Sequence, residues 1–209
     1  MRVIHSVIPN IMHTRMKSPD YSLLYSIAEN QAGYFTASQA SEAGYSFERL
    51  SDLTSGGKFI RIRRGIYRLS FFPVSRFEDL FIALLRTGNH SVISHDSALA
   101  VYELSDILPS EIHVIIPRTG SRRRAGLNLH TNHLEDDEIT YREGLRITTV
   151  ERTITDVIAA GIGLQHTQQA IYQALQQGLT TEIKLKEQAV RCNGYPKRII
   201  EQVLQEMKG

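Results

Sequence analysis

The residues of this chain whose type and spacing best suit a defined chemistry are the cations between positions 58 and 68. The segment carries five basic side chains and no acidic one: Lys58, Arg61, Arg63, Arg64 and Arg68. A row of cations on a short hairpin suits contact with the phosphate backbone of nucleic acid. Arginine can also serve only to keep an exposed sheet edge soluble and unpaired. The charge pattern therefore predicts a nucleic-acid contact, with a solvated edge as the alternative.

Two short helices are predicted immediately before these cations. Thr36 can cap the first helix through its hydroxyl, and Gln39, three residues later, completes a capping-box pattern. Gly44 supplies the left-handed residue that ends this helix. Ser46 then caps a second helix, so the sequence predicts a helix, a turn and a helix.

The second of these helices, expected from 46 to 55, has an apolar face and a polar face. Phe47, Leu50 and Leu53 recur at a spacing of three, and we expect them to bury one face. The remaining residues are expected to point outward and to face a groove of the partner: Glu48, Arg49, Ser51, Asp52 and Ser55.

The spacing of the apolar residues changes from a helical to a strand-like period after Gly56 and Gly57. Residues 59–63 and 66–69 are short β-type runs joined by Arg64-Gly65, which predicts a tight hairpin. Two helices followed by such a hairpin indicate a winged helix-turn-helix, in which the second helix reads the major groove of double-stranded DNA. The predicted DNA-binding residues are Thr36, Ser46, Arg49, Ser51, Lys58, Arg61, Arg63, Arg64 and Arg68.

Length and charge favour two domains. The chain has 209 residues, of which 42% are hydrophobic, enough for two modest cores. We expect a tail at 1–18, the winged domain at 19–72 and a second domain at 76–209, with the boundary near Phe71-Phe72-Pro73. Residues 1–72 contain nine Lys/Arg against five Asp/Glu, a net charge of +4, and the remainder contains 15 against 17, a net charge of −2. The basic character therefore belongs to the amino-terminal domain.

The location of the protein is predicted from what the sequence lacks. Its single cysteine, Cys192, cannot form an internal disulfide or a cysteine-based zinc site. No run approaches the roughly 20 apolar residues that span a bilayer, and no secretory signal is recognisable. We expect a cytoplasmic protein with no membrane partner.

The second domain is predicted to be α+β. Its expected elements are an amphipathic helix at 76–87, a helix at 96–103 capped by Ser94, and a strand at 111–117 paired with 127–132. A hairpin is expected around Glu143-Gly144, followed by helices at 150–160, 164–177, 180–192 and 196–207. The fold class is thus a winged helix-turn-helix followed by a small mixed or antiparallel sheet and a helical carboxy-terminal end.

A second group of cations lies in the loop between the two paired strands. The loop contains Arg118, Arg122, Arg123 and Arg124, bounded by Gly and Ser. These cations could reach phosphates beside those held by the hairpin. Alternatively, they form a solvated surface that the acidic run at 135–138 neutralises.

Metal binding and catalysis find little support in the sequence. Eight histidines invite a metal hypothesis, chiefly His95, His113, His130 and His133. No pair has the four-residue helical spacing of a zinc protease, so we predict no metal and no cofactor. Asp106 and Glu111 only loosely suggest a nuclease, and no lysine accompanies them. Glycine-rich phosphate loops and nucleophile motifs are absent from the sequence, so we predict that the protein is not an enzyme.

Four segments carry a resemblance to a known family: residues 33–44, 63–67, 93–99 and 146–156. Over residues 20–160 the chain resembles the AbiEi antitoxins, transcriptional regulators of type IV toxin-antitoxin systems that act in abortive infection, a phage defence. The resemblance implies a winged domain that binds repeats, expected to be inverted, in its own promoter and represses it. It also implies a carboxy-terminal domain that protects against a nucleotidyltransferase-like toxin. The basic loop would then contact either DNA or an acidic toxin surface.

The recurrent polar residues of the second domain have two possible roles. His95 and Asp96 at one helix start, and Thr149, Arg152 and Asp156 around another, can cap helices and tie them together by an Arg-carboxylate pair. If they line a shared groove, they form the antitoxin surface instead. Three functions stay open: a repressor with antitoxin activity, a repressor alone, and a nuclease-like effector with a DNA-binding head.

Overall fold

Two β-sheets organise the part of the chain that the structure describes. The structure is a computed structural model, and it describes residues 18–106, 109–117 and 124–207. One sheet has three strands and the other five, and helices pack against both. The fold class is therefore α+β, as the sequence predicts.

The amino-terminal unit alternates helices and strands. Its helices are α1 (Tyr21–Glu29), α2 (Ala37–Glu42) and α3 (Phe47–Ser55). Its strands are β1 (Tyr34–Thr36), β2 (Phe59–Arg63) and β3 (Ile66–Leu69), which form an antiparallel sheet in the order β1-β3-β2. The unit therefore places two consecutive short helices directly before a hairpin.

Local side-chain bonds explain where these helices begin. Asp20 caps α1 by accepting from the amide of Leu23 at 3.0 Å, so this helix begins slightly later than Ser18-Pro19 suggests. The capping box of Thr36 and Gln39 is present at α2, and Ser46 accepts from the amide of Arg49 at 3.2 Å at α3. These bonds satisfy amides that the helices themselves leave without a partner.

The expected apolar face of α3 is only partly correct. Leu50 is buried and Leu53 half-buried, but Phe47 is 76% exposed. A spacing of three residues falls short of a full helical turn by about 60°, so three such residues spread over about 120°. Because the core contacts the middle of this arc, Phe47 turns outward at the first position of the helix.

The second unit is built around the five-stranded sheet. Its strands are β4 (Val92–Ile93), β5 (Ile112–Ile115), β6 (Leu127–His130), β7 (Ile139–Arg142) and β8 (Leu145–Thr148), in the order β6-β5-β4-β8-β7. The β5–β6 and β4–β8 pairs are parallel and the others antiparallel, so the sheet is mixed. The turn between β7 and β8 is the predicted one, since Glu143 and Gly144 both have positive φ, at 53° and 78°.

Helices cover this sheet and complete the chain. They are α4 (Glu78–Thr87), α5 (His95–Tyr102), α6 (Val150–Ala159), α7 (Leu164–Gln176), α8 (Glu182–Cys192) and α9 (Gly194–Glu206), with a short 3-10 helix at Asp136–Glu138. The last four helices form the helical end that the sequence predicts. Among the described residues, no helix is long and apolar enough to cross a membrane.

The two units share one buried residue. Each has its own cluster of apolar side chains, but Tyr34 of β1 belongs to the cluster of the second unit. Its ring stacks on Phe81 of α4 at 5.9 Å between centroids, and its hydroxyl donates to Glu78 at 2.6 Å. Burial raises the pKa of Tyr34 to about 12. The division into domains at 72 and 76 stays a prediction, and the two units are in direct contact.

Candidate nucleic-acid interface

The amino-terminal unit exposes a group of cations on α3 and on the β2–β3 hairpin. Those with exposed side chains are Arg49, Lys58, Arg61, Arg63 and Arg64. None of the five forms an ion pair within the described residues. Arg49 and Lys58 line one groove of about 480 Å³. These charges are therefore available to an anionic partner.

Backbone bonds fix the hairpin relative to the helices. The two-residue turn uses Gly65 at φ +77°, a conformation that side chains with a Cβ rarely adopt. Gly65 then accepts from the amide of Ala37 at 2.9 Å, at the first position of α2. A bulge between Arg61 and Arg63 adds local twist to β2. The cationic turn is thus bonded to the start of the first of the two short helices.

The second unit adds two arginines beside the hairpin. Arg86, in the last turn of α4, donates through both terminal nitrogens to the carbonyl of Ala125 at 3.3 Å. Burial lowers the pKa of Arg86, and the positive charges of Arg63 and Arg124 lower it further. We call Arg63, Arg86 and Arg124 the arginine cluster. Sequence reasoning missed Arg86, which reads as an ordinary cation at a helix end.

Arg68 is a correction to the predicted DNA-binding residues. It is 7% exposed, and its guanidinium lies 5.9 Å from the centre of the Tyr34 ring. Because β3 is the central strand of its sheet, all four of its residues are buried, and Arg68 pairs directly with Tyr34 of β1. A side chain held there does not reach a phosphate. The hydroxyl oxygens of Thr36 and Ser46 accept helix-cap hydrogen bonds.

The predicted basic loop is only partly described. Arg118, Arg122 and Arg123 lie outside the described residues, whereas Arg124 forms an isolated bridge with Leu127. In the alternative interpretation the acidic run at 135–138 neutralises the loop, and three residues of this run have other described partners. Glu135 contacts His133 at 3.0 Å, Asp137 pairs with Arg191 at 2.7 Å, and Glu138 pairs with Arg152.

The polar residues around α6 form a buried ion-pair network. Thr149 caps the helix by accepting from the amide of Arg152 at 3.3 Å. Arg152 bonds Asp156 at 2.9 Å and also Glu138, which accepts from Gln188 of α8 at 2.7 Å. Burial raises the pKa of Asp156 to about 6, although Arg152 opposes the rise. The network joins the 3-10 helix, α6 and α8, and its residues Glu138, Arg152 and Asp156 line a cleft of about 1100 Å³.

His95 and Asp96 do not cap a helix as the sequence suggested. His95 is the first residue of α5, and Ser94 makes no cap bond with its side chain. Instead, the His95 ring stacks on His130 of β6 and lies near His113 of β5. His133 stands apart, next to Glu135. The structure thus brings together three of the four histidines named as metal candidates.

The described carboxylates do not form the cluster that a nuclease would need. Asp106 accepts from Gln169 at 3.1 Å, and Glu111 is exposed. Within the described ranges, the only group of three or more potential metal ligands is formed by His95, His113 and His130.

Fold and site together define an α+β protein whose small amino-terminal unit presents unpaired cations on a helix and a hairpin. Residues 22–70 match the family model described as "Transcriptional regulator, AbiEi antitoxin". The match covers the capped helices and the hairpin, and it confirms the resemblance for this segment. The match states what this segment is similar to.

One solved structure shares the fold over most of the chain. The crystal structure of the RV2827C protein from Mycobacterium tuberculosis is similar with a TM-score of 0.50 and 13% sequence identity. The likeness covers 91% of this chain and 78% of that one, and at this identity it concerns the fold alone. No curated protein sequence gives a significant match.

Proposed function

We propose that the protein is a cytoplasmic transcriptional repressor that binds double-stranded DNA in its own promoter through a winged helix-turn-helix. The family match over residues 22–70 supports the regulatory role. The order of α2, α3 and the β2–β3 hairpin supports the winged helix-turn-helix, because it is the order in which such modules arrange a recognition helix and a wing. In this arrangement α3 enters the major groove and the hairpin follows the backbone.

The exposed and unpaired cations of α3 and the β2–β3 hairpin are the observation that carries the proposal. Burial is the main cause that lowers the pKa of Arg86 behind the hairpin, and the positive charges of Arg63 and Arg124 lower it further. Like charges held together without an acidic partner raise the energy of the free protein, and a bound anion removes that cost. A phosphate backbone supplies such an anion at regular intervals.

The resemblance to AbiEi proteins extends the proposal to a toxin-antitoxin system. The chain would repress its operon by binding inverted repeats and would protect the cell from a nucleotidyltransferase-like toxin. The second unit would provide that protection without catalysis. A nucleotidyltransferase-like gene directly downstream would support this role.

The test is a binding titration with DNA from the region upstream of the gene. Arg63→Ala combined with Arg64→Ala should weaken binding to all sequences, because the hairpin contacts phosphates rather than bases. Two lost phosphate contacts reduce the slope of log K against log salt by about 1.8, so a fourfold rise in salt weakens the variant about 12-fold less than the parent.

The matched control removes the same charge elsewhere. Lys184 and Arg198 are exposed cations on α8 and α9, and their double alanine variant should keep the parental affinity and slope. If the hairpin variant and the parent have equal slopes of log K against log salt, the hairpin does not contact phosphates. Arg49→Ala or Ser51→Ala, by contrast, should change sequence preference, with base discrimination falling by about 1–3 kcal/mol.

A further inference from the structure

Three histidines from separate parts of the chain converge on one side of the five-stranded sheet. His95 begins α5, directly after β4, while His113 and His130 lie on the neighbouring strands β5 and β6. His130 pairs with Ile115, two residues after His113, so both histidines point to the same face of this parallel pair. His95, the first residue of α5, places its ring over those of His113 and His130.

The distances between the rings suit a shared ligand. One ring nitrogen from each histidine lies within 4.8 Å of the other two. His130 Nε2 and His113 Nδ1 are 3.3 Å apart, which is about the edge of a tetrahedron with metal–nitrogen bonds of roughly 2.0 Å. The rings of His95 and His130 stack at 3.7 Å with an angle of 12°. A metal lies in the plane of each ring that binds it, so the His95 and His130 rings must rotate out of this stack, about their broad Cβ–Cγ torsions, for the lone pairs to converge.

Polar groups lie beside the outward nitrogens of two of these rings. Ser94 Oγ lies 2.9 Å from His95 Nδ1, which leaves Nε2 of this ring for a ligand. Asp96 Oδ2 lies 3.9 Å from His113 Nε2, on the side of the ring opposite Nδ1. Histidines that bind metals commonly have a carboxylate or other polar partner on the second nitrogen, which orients the ring.

His95 is also unusual in its backbone. It is 3% exposed and has φ +50°, a conformation that costs energy for a residue with a Cβ. A purely apolar core would need neither the strained backbone nor three rings of this kind.

The geometry points to a binding site for one Zn²⁺ ion, held by His95, His113 and His130 and oriented by Ser94 and Asp96. Three imidazoles suit zinc and leave a fourth position open. The side chain of Asp96 is partly exposed, so the site has a path to solvent. The ion would link α5 to β5 and β6 in the second unit.

The test uses the full chain without an affinity tag, stripped of metal by a chelator and titrated with Zn²⁺ against a chromophoric competitor. The parent should bind one equivalent, and Co²⁺ should give the visible absorption of a tetrahedral site. His130→Ala should lower the affinity more than about 100-fold, because losing a ligand exceeds the effect of losing an outer partner. His133→Ala is the matched control and should bind as the parent does. The histidines near the amino terminus are present in the parent and in every variant, so any zinc that they bind does not affect the comparison.

A further variant covers the possibility that His130→Ala does not fold. Asp96→Asn keeps the shape of a partly exposed side chain and should lower zinc affinity about 10-fold with an unchanged circular dichroism spectrum. The proposal is overturned if the parent binds no zinc. It is also overturned if folded His130→Ala binds zinc as tightly as the parent, or if His133→Ala loses as much zinc affinity as His130→Ala. Parental zinc affinity in Asp96→Asn would overturn it as well.

Discussion

The buried network around Arg152 allows a prediction whose size follows from the structure. Arg152 is 9% exposed and pairs with Asp156 and Glu138, both of which are also buried. Arg152→Leu keeps the apolar contacts of the stem but leaves two carboxylates without their cation. Breaking a buried pair in this way costs about 3–5 kcal/mol of the free energy of unfolding. For a chain of this size, that loss lowers Tm by about 10 °C.

The neighbouring ion pair offers a matched control. Arg191 pairs with Asp137 at 2.7 Å, but both side chains are more than half exposed. Arg191→Leu should therefore cost less than about 1 kcal/mol, because water screens the pair. The measurement is thermal and urea unfolding of the parent and both variants at pH 7. Equal losses in the two variants would refute the reasoning.

The same network predicts a dependence on pH. The pKa of Asp156 is raised to about 6 from the ordinary 3.8, so the folded state binds its proton more tightly than the unfolded state does. The cost of the buried charge is present above pH 6 and is relieved as the pH falls from about 6 to 4. Arg152→Leu removes the cation that opposes this rise, so its deficit relative to the parent should shrink on acidification from pH 7 to 5. A deficit that grows would contradict this sign.

Two further predictions concern the basic loop and catalysis. Changing Arg122, Arg123 and Arg124 together to alanine should lower operator affinity and repression, because Arg124 lies in the arginine cluster; retained repression with lost rescue, in paired reporter and growth assays, would assign the loop to the toxin instead. The purified protein should leave DNA and RNA intact with Mg²⁺ or Mn²⁺, and cleavage abolished by Asp106→Ala or Glu111→Ala would show a nuclease.

The features that the sequence predicts well depend on bonds between near neighbours. The capping box of Thr36 and Gln39 spans three residues, and the turns at Gly65 and Glu143-Gly144 need only a local backbone conformation. Such features form through local interactions, so they do not depend on how the rest of the chain folds. The order of helices and strands along the chain follows from these boundaries together with the hydrophobic period, whereas the sequence left open whether the sheet is mixed or antiparallel.

The features that sequence reasoning missed depend on contacts between distant segments. Arg68 reads as one more cation of the hairpin, and only the pairing of β3 with β1 places it against Tyr34. His113 and His130 are 17 residues apart, and parallel pairing of their strands brings them together. A search for metal ligands at helical spacing cannot detect such a group. Arg86 is likewise part of a cluster only after α4 packs near the hairpin.

The position of Tyr34 has a consequence for how the protein would recognise DNA. Its ring is fully buried between the two units, so turning one unit against the other would expose an aromatic side chain at a cost of about 2 kcal/mol. This cost disfavours changes in the spacing between Arg63 on the hairpin and Arg86 on α4. Two cations at a defined separation bind best to phosphates at a matching distance. The distance between phosphates varies with the width of the groove and with the bending of the duplex. The buried tyrosine would thus make the protein sensitive to the shape of its operator at base pairs that it never touches.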